Sequence, residues 1–160
     1  MIMADILFWI AIAIGVLATL IAHWLAAQAL LPNTVARCSE AYARRPISCC
    51  LIGVFVALPL VLILLGALNK IPLPLAKVVL IGVLCVPVLI ALIGSAGLAR
   101  RIGLGLPAPT DIDRPWLPVA RGGLVMGLCF IAPILGWFIM LPLALLSGVG
   151  AWLIGRRISI

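Results

Sequence analysis

The stretch Gly122–Gly155, GGLVMGLCFIAPILGWFIMLPLALLSGVGAWLIG, runs for 34 residues without a charge. As one helix it would be about 51 Å long, well beyond the roughly 30 Å hydrocarbon core of a bilayer. Broken around Pro133-Ile134-Leu135-Gly136-Trp137, it becomes two shorter pieces, 122–136 and 137–155, that form a re-entrant or thin transmembrane hairpin. Proline removes a backbone donor and blocks the helical hydrogen bond one turn back. The groups it frees must then be satisfied by neighbouring helices, because lipid offers no partner.

The surrounding charges decide between the two forms. Three further uncharged stretches, 6–36, 46–69 and 78–99, precede this one, and the four together hold 111 of the 160 residues. If 122–155 crosses once, the 32–46 and 100–121 segments carry seven Lys/Arg against four on the opposite side. If it turns back, Arg156 and Arg157 rejoin the basic side, and the division becomes nine against two. Basic residues resist translocation, so the hairpin satisfies the positive-inside bias more strongly. The sequence therefore predicts an all-α integral membrane protein with three transmembrane helices and a C-terminal Pro/Gly-broken helical hairpin, the alternative being a four-helix transmembrane bundle. The N-terminus is expected outside, and the loops 32–46 and 100–121 and the C-terminus inside.

Composition supports the membrane reading independently. The chain is 66% hydrophobic and 9% charged, whereas a soluble domain needs about a quarter of its residues charged to clothe its surface. The apolar segments are expected at about 6–31, 47–68 and 74–99, followed by 122–136 and 137–155, as a single membrane domain. Pro32-Asn33 ends the first and Pro46 opens the second. Ala27-Gln28-Ala29 has the form of a signal-peptidase site, but no Lys or Arg precedes Arg37 and the apolar run is about twice a normal signal core, so the segment reads as a retained helix. The net charge of +7 then marks orientation and attraction to an anionic leaflet, and nucleic acid is not expected as a partner.

Small residues carry the clearest pattern. On the first helix Ala4, Ala11, Gly15, Ala18, Ala22 and Ala29 share one face, with Ala26 nearby. Such a stripe lets two backbones approach closely, against another helix of the same chain or against a partner or second copy. In the hairpin, Gly123 and Gly127, Ala132 and Gly136, Ala144 and Gly148, and Ser147 and Ala151 are each four apart, the small-xxx-small spacing of packed membrane helices.

Polar candidates are few. His23 lies within the first apolar segment, where an ionisable group is a candidate relay or ligand. It has no intramembrane acid or second histidine to work with, so a neutral ring bonded to a carbonyl or to a hydroxyl such as Thr19 is expected. Lys77 can snorkel to the interface. Cys38, Cys49 and Cys50, with Glu40, lack the CxxC knuckle and histidine of a zinc site, while Cys85 and Cys129 sit in apolar segments as packing residues. Asp111 and Asp113 are too few for a hard-cation site and read as a solvated turn, with an Asp pairing to Arg114. The proline- and glycine-rich 100–121 loop is expected to be irregular, with Trp116 at headgroup level.

No phosphate-binding GxxxxGK, HExxH, GxSxG or histidine pair is present, and no cofactor or metal is expected. The alanine-, leucine- and glycine-rich character resembles that of small bacterial inner-membrane proteins as a class, with no named family identified. The expected function is that of a non-catalytic accessory, anchoring or scaffold protein that packs in a larger membrane assembly with other subunits or copies of itself. The alternative is a small transporter or channel component acting as an oligomer, supported by prolines such as Pro59, Pro87, Pro133 and Pro142 that interrupt helices.

Overall fold

The computed structural model describes residues 2–70, 74–106, 108, 111, 114–131 and 135–157. Its elements are all helical: α1 (Ile2–Leu30), α2 (Pro32–Arg44), α3 (Pro46–Lys70), α4 (Pro74–Leu104), α5 (Leu117–Ile131) and α6 (Gly136–Gly155), the last opening with a π-helical turn over Gly136–Met140. Four of them, α1, α3, α4 and α6, contain stretches long and apolar enough to cross a membrane, and α5 is a shorter apolar helix.

The first three helices are hinged by single residues. Leu31 (φ −131°, ψ 54°) and Arg45 (φ −145°, ψ 66°) each precede a proline, whose ring excludes the preceding residue from helical backbone. Each following proline then opens the next helix, where its missing N–H costs nothing. The expected loop 32–46 is thus mostly the helix α2. It is amphipathic: Val35, Cys38, Ser39, Ala41 and Tyr42 are buried, while Arg37 and Arg44 face outward. A search for uncharged runs misses such a helix, because its apolar residues recur at three and four positions between charges.

Glycine contacts define how the helices run. Gly122 abuts the Ala99 carbonyl and Gly103 that of Pro118, so α5 is antiparallel to α4. Gly53 abuts Leu146 and Gly150 abuts Cys49, so α6 is antiparallel to α3. Gly123 lies against Trp24 and Gly127 against Leu17, which sets α1 antiparallel to α5. The 117–155 segment therefore returns to the end from which it started, as the hairpin expectation required. Its two arms are Leu117–Ile131 and Gly136–Gly155, so α5 begins ahead of Arg121. Helix α4 likewise continues through Arg100-Arg101 to Leu104.

Packing is concentrated at this basic end. Trp24, Val35, Ala96, Ala99, Val119 and Met126 belong to the largest buried cluster, and Cys38, Ala41, Tyr42, Cys49 and Ala151 form a second beneath α2. Toward the other end, α1, α3 and α4 extend past the hairpin with Leu7, Phe8, Leu62, Ile63, Val78 and Val79 exposed. These faces are apolar, as surfaces that meet acyl chains must be.

Candidate functional site

Two buried hydroxyls tie the basic half together. Ser95 of α4 accepts a hydrogen bond from the Trp24 indole Nε1–H at 2.9 Å and donates to the Leu92 carbonyl at 2.9 Å. Ser147 of α6 and the Tyr42 hydroxyl of α2 lie 2.9 Å apart as a hydrogen-bonded pair. Where lipid removes the hydrophobic drive between helices, close backbone approach and interhelical hydrogen bonds take its place. Both serines are spent on structure: each engages an aromatic side chain and the carbonyl three residues earlier.

The small residues divide sharply. In the hairpin, Gly148 is packed against Ala91 and Ser95, Gly136 lies beneath the Cys129 and Phe130 carbonyls at 2.6 Å from where its Cβ would stand, and Ala144 is buried. A Cβ on Gly123 would stand 3.0 Å from the Trp24 ring, and one on Gly127 3.5 Å from the Leu17 side chain. Ala132 lies outside the described residues. On α1, by contrast, Ala11, Gly15, Ala18 and Ala22 are all exposed, and nothing lies within 4 Å of a Cβ placed on Gly15. Helix α1 packs on the rest of the chain through Leu17, Leu20, Ile21, Trp24 and Ala27 instead. Of the two partners the stripe could have had, the chain's own helices supply none to Ala11, Gly15, Ala18 and Ala22 among the described residues.

His23 does not bond to Thr19. The Thr19 hydroxyl donates to the Gly15 carbonyl at 2.8 Å, and the buried His23 Nε2 has no partner, nor has Oε1 of the buried Gln28. Asp111 pairs with Arg121 rather than with Arg114, and also accepts the Ala108 amide at 3.1 Å. The Arg121 hydrogen bond holds the Asp111 carboxyl below its ordinary range despite partial burial, with the Ala108 amide helping. Asp113 lies outside the described residues.

The cysteines are dispersed. Cys38 is buried at the α2–α4 contact, and desolvation, with a smaller contribution from Cys49 nearby, pushes its thiol up to about 12. Burial raises the Tyr42 hydroxyl in the same way, against the opposing effect of its bond to Ser147. Cys49 is also buried, whereas Cys85 and Cys129 are exposed on apolar helices. Among the described residues, no three His, Cys, Asp or Glu side chains converge as metal ligands would.

An apolar cleft of about 290 Å³ separates the hairpin arms, lined by Met126 and Phe130 of α5, Met140 and Leu143 of α6, Leu98 of α4 and Tyr42 of α2, among others. The lining is mostly apolar; of its polar-capable groups, Tyr42 and Ser147 are engaged with each other, and the Cys50 and Cys129 thiols complete it. No protein-family model, curated protein or solved structure matches the chain.

Proposed function

We infer that this protein is a non-catalytic accessory or scaffold subunit that joins a larger membrane assembly through α1. The reading places it in a bacterial cytoplasmic membrane, N-terminus outside and C-terminus inside, in keeping with the positive-inside bias. The observation that carries it is the outward position of Ala11, Gly15, Ala18 and Ala22. In the hairpin, Gly136 and Gly148 are pressed against backbone and Gly123 against the Trp24 ring, whereas this stripe leaves a shallow surface on which another helix can seat. Spent serines and an apolar cleft add support for a structural rather than a chemical role.

The test is co-purification in mild detergent, comparing the natural chain with a Gly15→Leu/Ala18→Leu variant. The variant should keep Cys38 shielded from maleimide, reporting an intact basic half, and lose its co-purifying membrane partner or its own oligomer. Retention of the same assembly by the variant overturns the reading. Specific solute flux through vesicles holding only this protein would replace it with that of a transporter or channel component.

A further inference from the structure

We propose that the basic end carries a binding site for the phosphate headgroup of an anionic phospholipid, set between the ends of α2, α3 and α6. Arg44, Arg45, Arg156 and Arg157 line one open hollow of about 800 Å³ together with the Ser48 hydroxyl. They reach it from three elements: the end of α2, the single-residue hinge before α3, and the end of α6. An orientation signal alone requires basic residues on one side of the membrane but not their convergence. Arg100 and Arg101, in the last turns of α4, lie outside this hollow.

The chemistry of the lining selects the ligand. Guanidinium groups offer paired donors that match two phosphate oxygens at once, and Ser48 adds a hydroxyl donor. Among the described residues, no carboxylate lines the hollow. Glu40 pairs with Arg44 at 2.8 Å, and among the described residues Arg45, Arg156 and Arg157 have no acidic partner. The Arg156 guanidinium stacks on Trp152, 4.6 Å from the ring centroid, which holds it in place. The same residue also lines an adjoining hollow of about 200 Å³ with Thr34 and Arg37. The positive end of the α3 backbone dipole meets the negative ends of those of α2 and α6 here; these are partial charges, so the full charges of the four arginines set the sign of the field.

The rest of the lining distinguishes a lipid from a free anion. Ile52, Leu153 and Ile154 share the hollow with the arginines, so a cationic region and an apolar one adjoin, as the headgroup and acyl chains of a phospholipid require. Ile52 lies on α3, more than a turn into a membrane-spanning stretch. Basic pockets between helices at a membrane surface commonly take anionic headgroups.

The test is native mass spectrometry of the full chain in mild detergent, titrated with dioleoylphosphatidylglycerol, dioleoylphosphatidylcholine or inorganic phosphate. Phosphatidylglycerol should bind in preference to phosphatidylcholine. An Arg45→Gln/Arg156→Gln/Arg157→Gln variant should lose roughly 100-fold in that affinity, each arginine near an anionic headgroup being worth about a factor of five. An Arg100→Gln/Arg101→Gln variant, which removes charge from the same end of the bundle, should leave it essentially unchanged. Equal binding of the two lipids, or an equal loss in the Arg100/Arg101 variant, overturns the site. Displacement of the lipid by equimolar inorganic phosphate overturns the lipid as its ligand. Should the triple exchange unshield Cys38, the single variants Arg156→Gln and Arg157→Gln, both at exposed side chains, decide: about a fivefold loss in each supports the site, and no loss in either overturns it.

Discussion

Gly97 is where α2 is locked onto α4, and replacing it with alanine tests the packing of the basic half. A Cβ at this position would stand 2.5 Å from the Cys38 Cβ and 2.9 Å from the Ser39 amide nitrogen. Carbon atoms pack best about 3.5–4.0 Å apart, so α2 must retreat by roughly 1 Å or more. The retreat falls on a helix whose Val35 and Ala41 are fully buried and whose Tyr42 hydroxyl is 2.9 Å from Ser147. Overpacking of this kind costs about 1–3 kcal/mol, and a stretched hydrogen bond about 1 more. Alanine recovers up to about 1 kcal/mol through its better helix propensity, which leaves a net loss of about 2 kcal/mol.

Cys38 is the built-in reporter for this change. It is 1% exposed, so maleimide reaches it only when α2 lifts, and a loss of about 2 kcal/mol raises the open fraction roughly 30-fold. The assay is the rate of Cys38 modification in lipid–detergent micelles, in a chain whose other four cysteines are replaced by alanine or serine. Gly15→Ala is the control: nothing lies within 4 Å of the added methyl, and the rate should stay level or fall. A Gly97→Ala rate equal to that of the natural chain would refute the close α2–α4 contact. Equal acceleration by Gly15→Ala would show that the two glycines occupy similar surroundings, contrary to the argument.

Three further outcomes follow from the polar groups. Ser95→Ala leaves the Trp24 indole N–H buried without an acceptor and should destabilise the fold by about 1–3 kcal/mol in a detergent unfolding titration; Thr19→Ala, on the exposed face of α1, should change it by less than about 0.5 kcal/mol. The lowered Asp111 carboxyl favours the folded loop at every pH above its ordinary value of 3.8, and that contribution disappears as pH falls through the lowered value. Pepsin should therefore cut around residues 105–116 more slowly in the natural chain than in Asp111→Asn at about pH 4, and the gap should narrow as pH falls; identical rates for the two chains at pH 4 would exclude the Arg121 anchor. His23→Leu removes a buried ring nitrogen that has no partner, so unfolding should be unchanged or harder, and a loss above about 1 kcal/mol would mean that His23 holds a hydrogen bond after all.

Long apolar runs and the positions of a few arginines made the helices and the returning C-terminal hairpin legible in the sequence, because both follow from local composition. Arg156 and Arg157 alone separate nine-to-two from seven-to-four. Helix α2 was less visible because its signal is periodicity rather than hydrophobicity: Pro32 at its start and Val35, Cys38, Ser39 and Tyr42 at helical spacing could have announced it. Partner choice was not legible at all. Tyr42 meets Ser147 across 105 residues, and Asp111 passes over nearby Arg114 for Arg121. Likewise Gly15 and Gly123 have the same side chain and similar neighbours, and only the path of the whole chain leaves one bare and buries the other.

That difference has a physical basis in the solvent. Between helices in lipid, apolar area contributes little because acyl chains are equally apolar, so association depends on close approach and hydrogen bonds. The basic half has both: Gly53, Gly94, Gly97, Gly148 and Gly150 abut neighbouring elements, and Trp24–Ser95 and Tyr42–Ser147 link four helices. Beyond the hairpin, Gly66 and Gly82 have nothing within 4 Å among the described residues, and the exposed side chains are mostly leucine, isoleucine and valine. Those extensions lack the means to hold one another, and lipid satisfies them as they stand. Gly15 differs in its setting, on a stripe of small residues in which Ala11, Ala18 and Ala22 are exposed beside it, next to the packed half. A helix seated there would meet a smooth backbone-lined surface already fixed by Trp24 and Leu17 on the opposite face, so its binding would order little else in the chain.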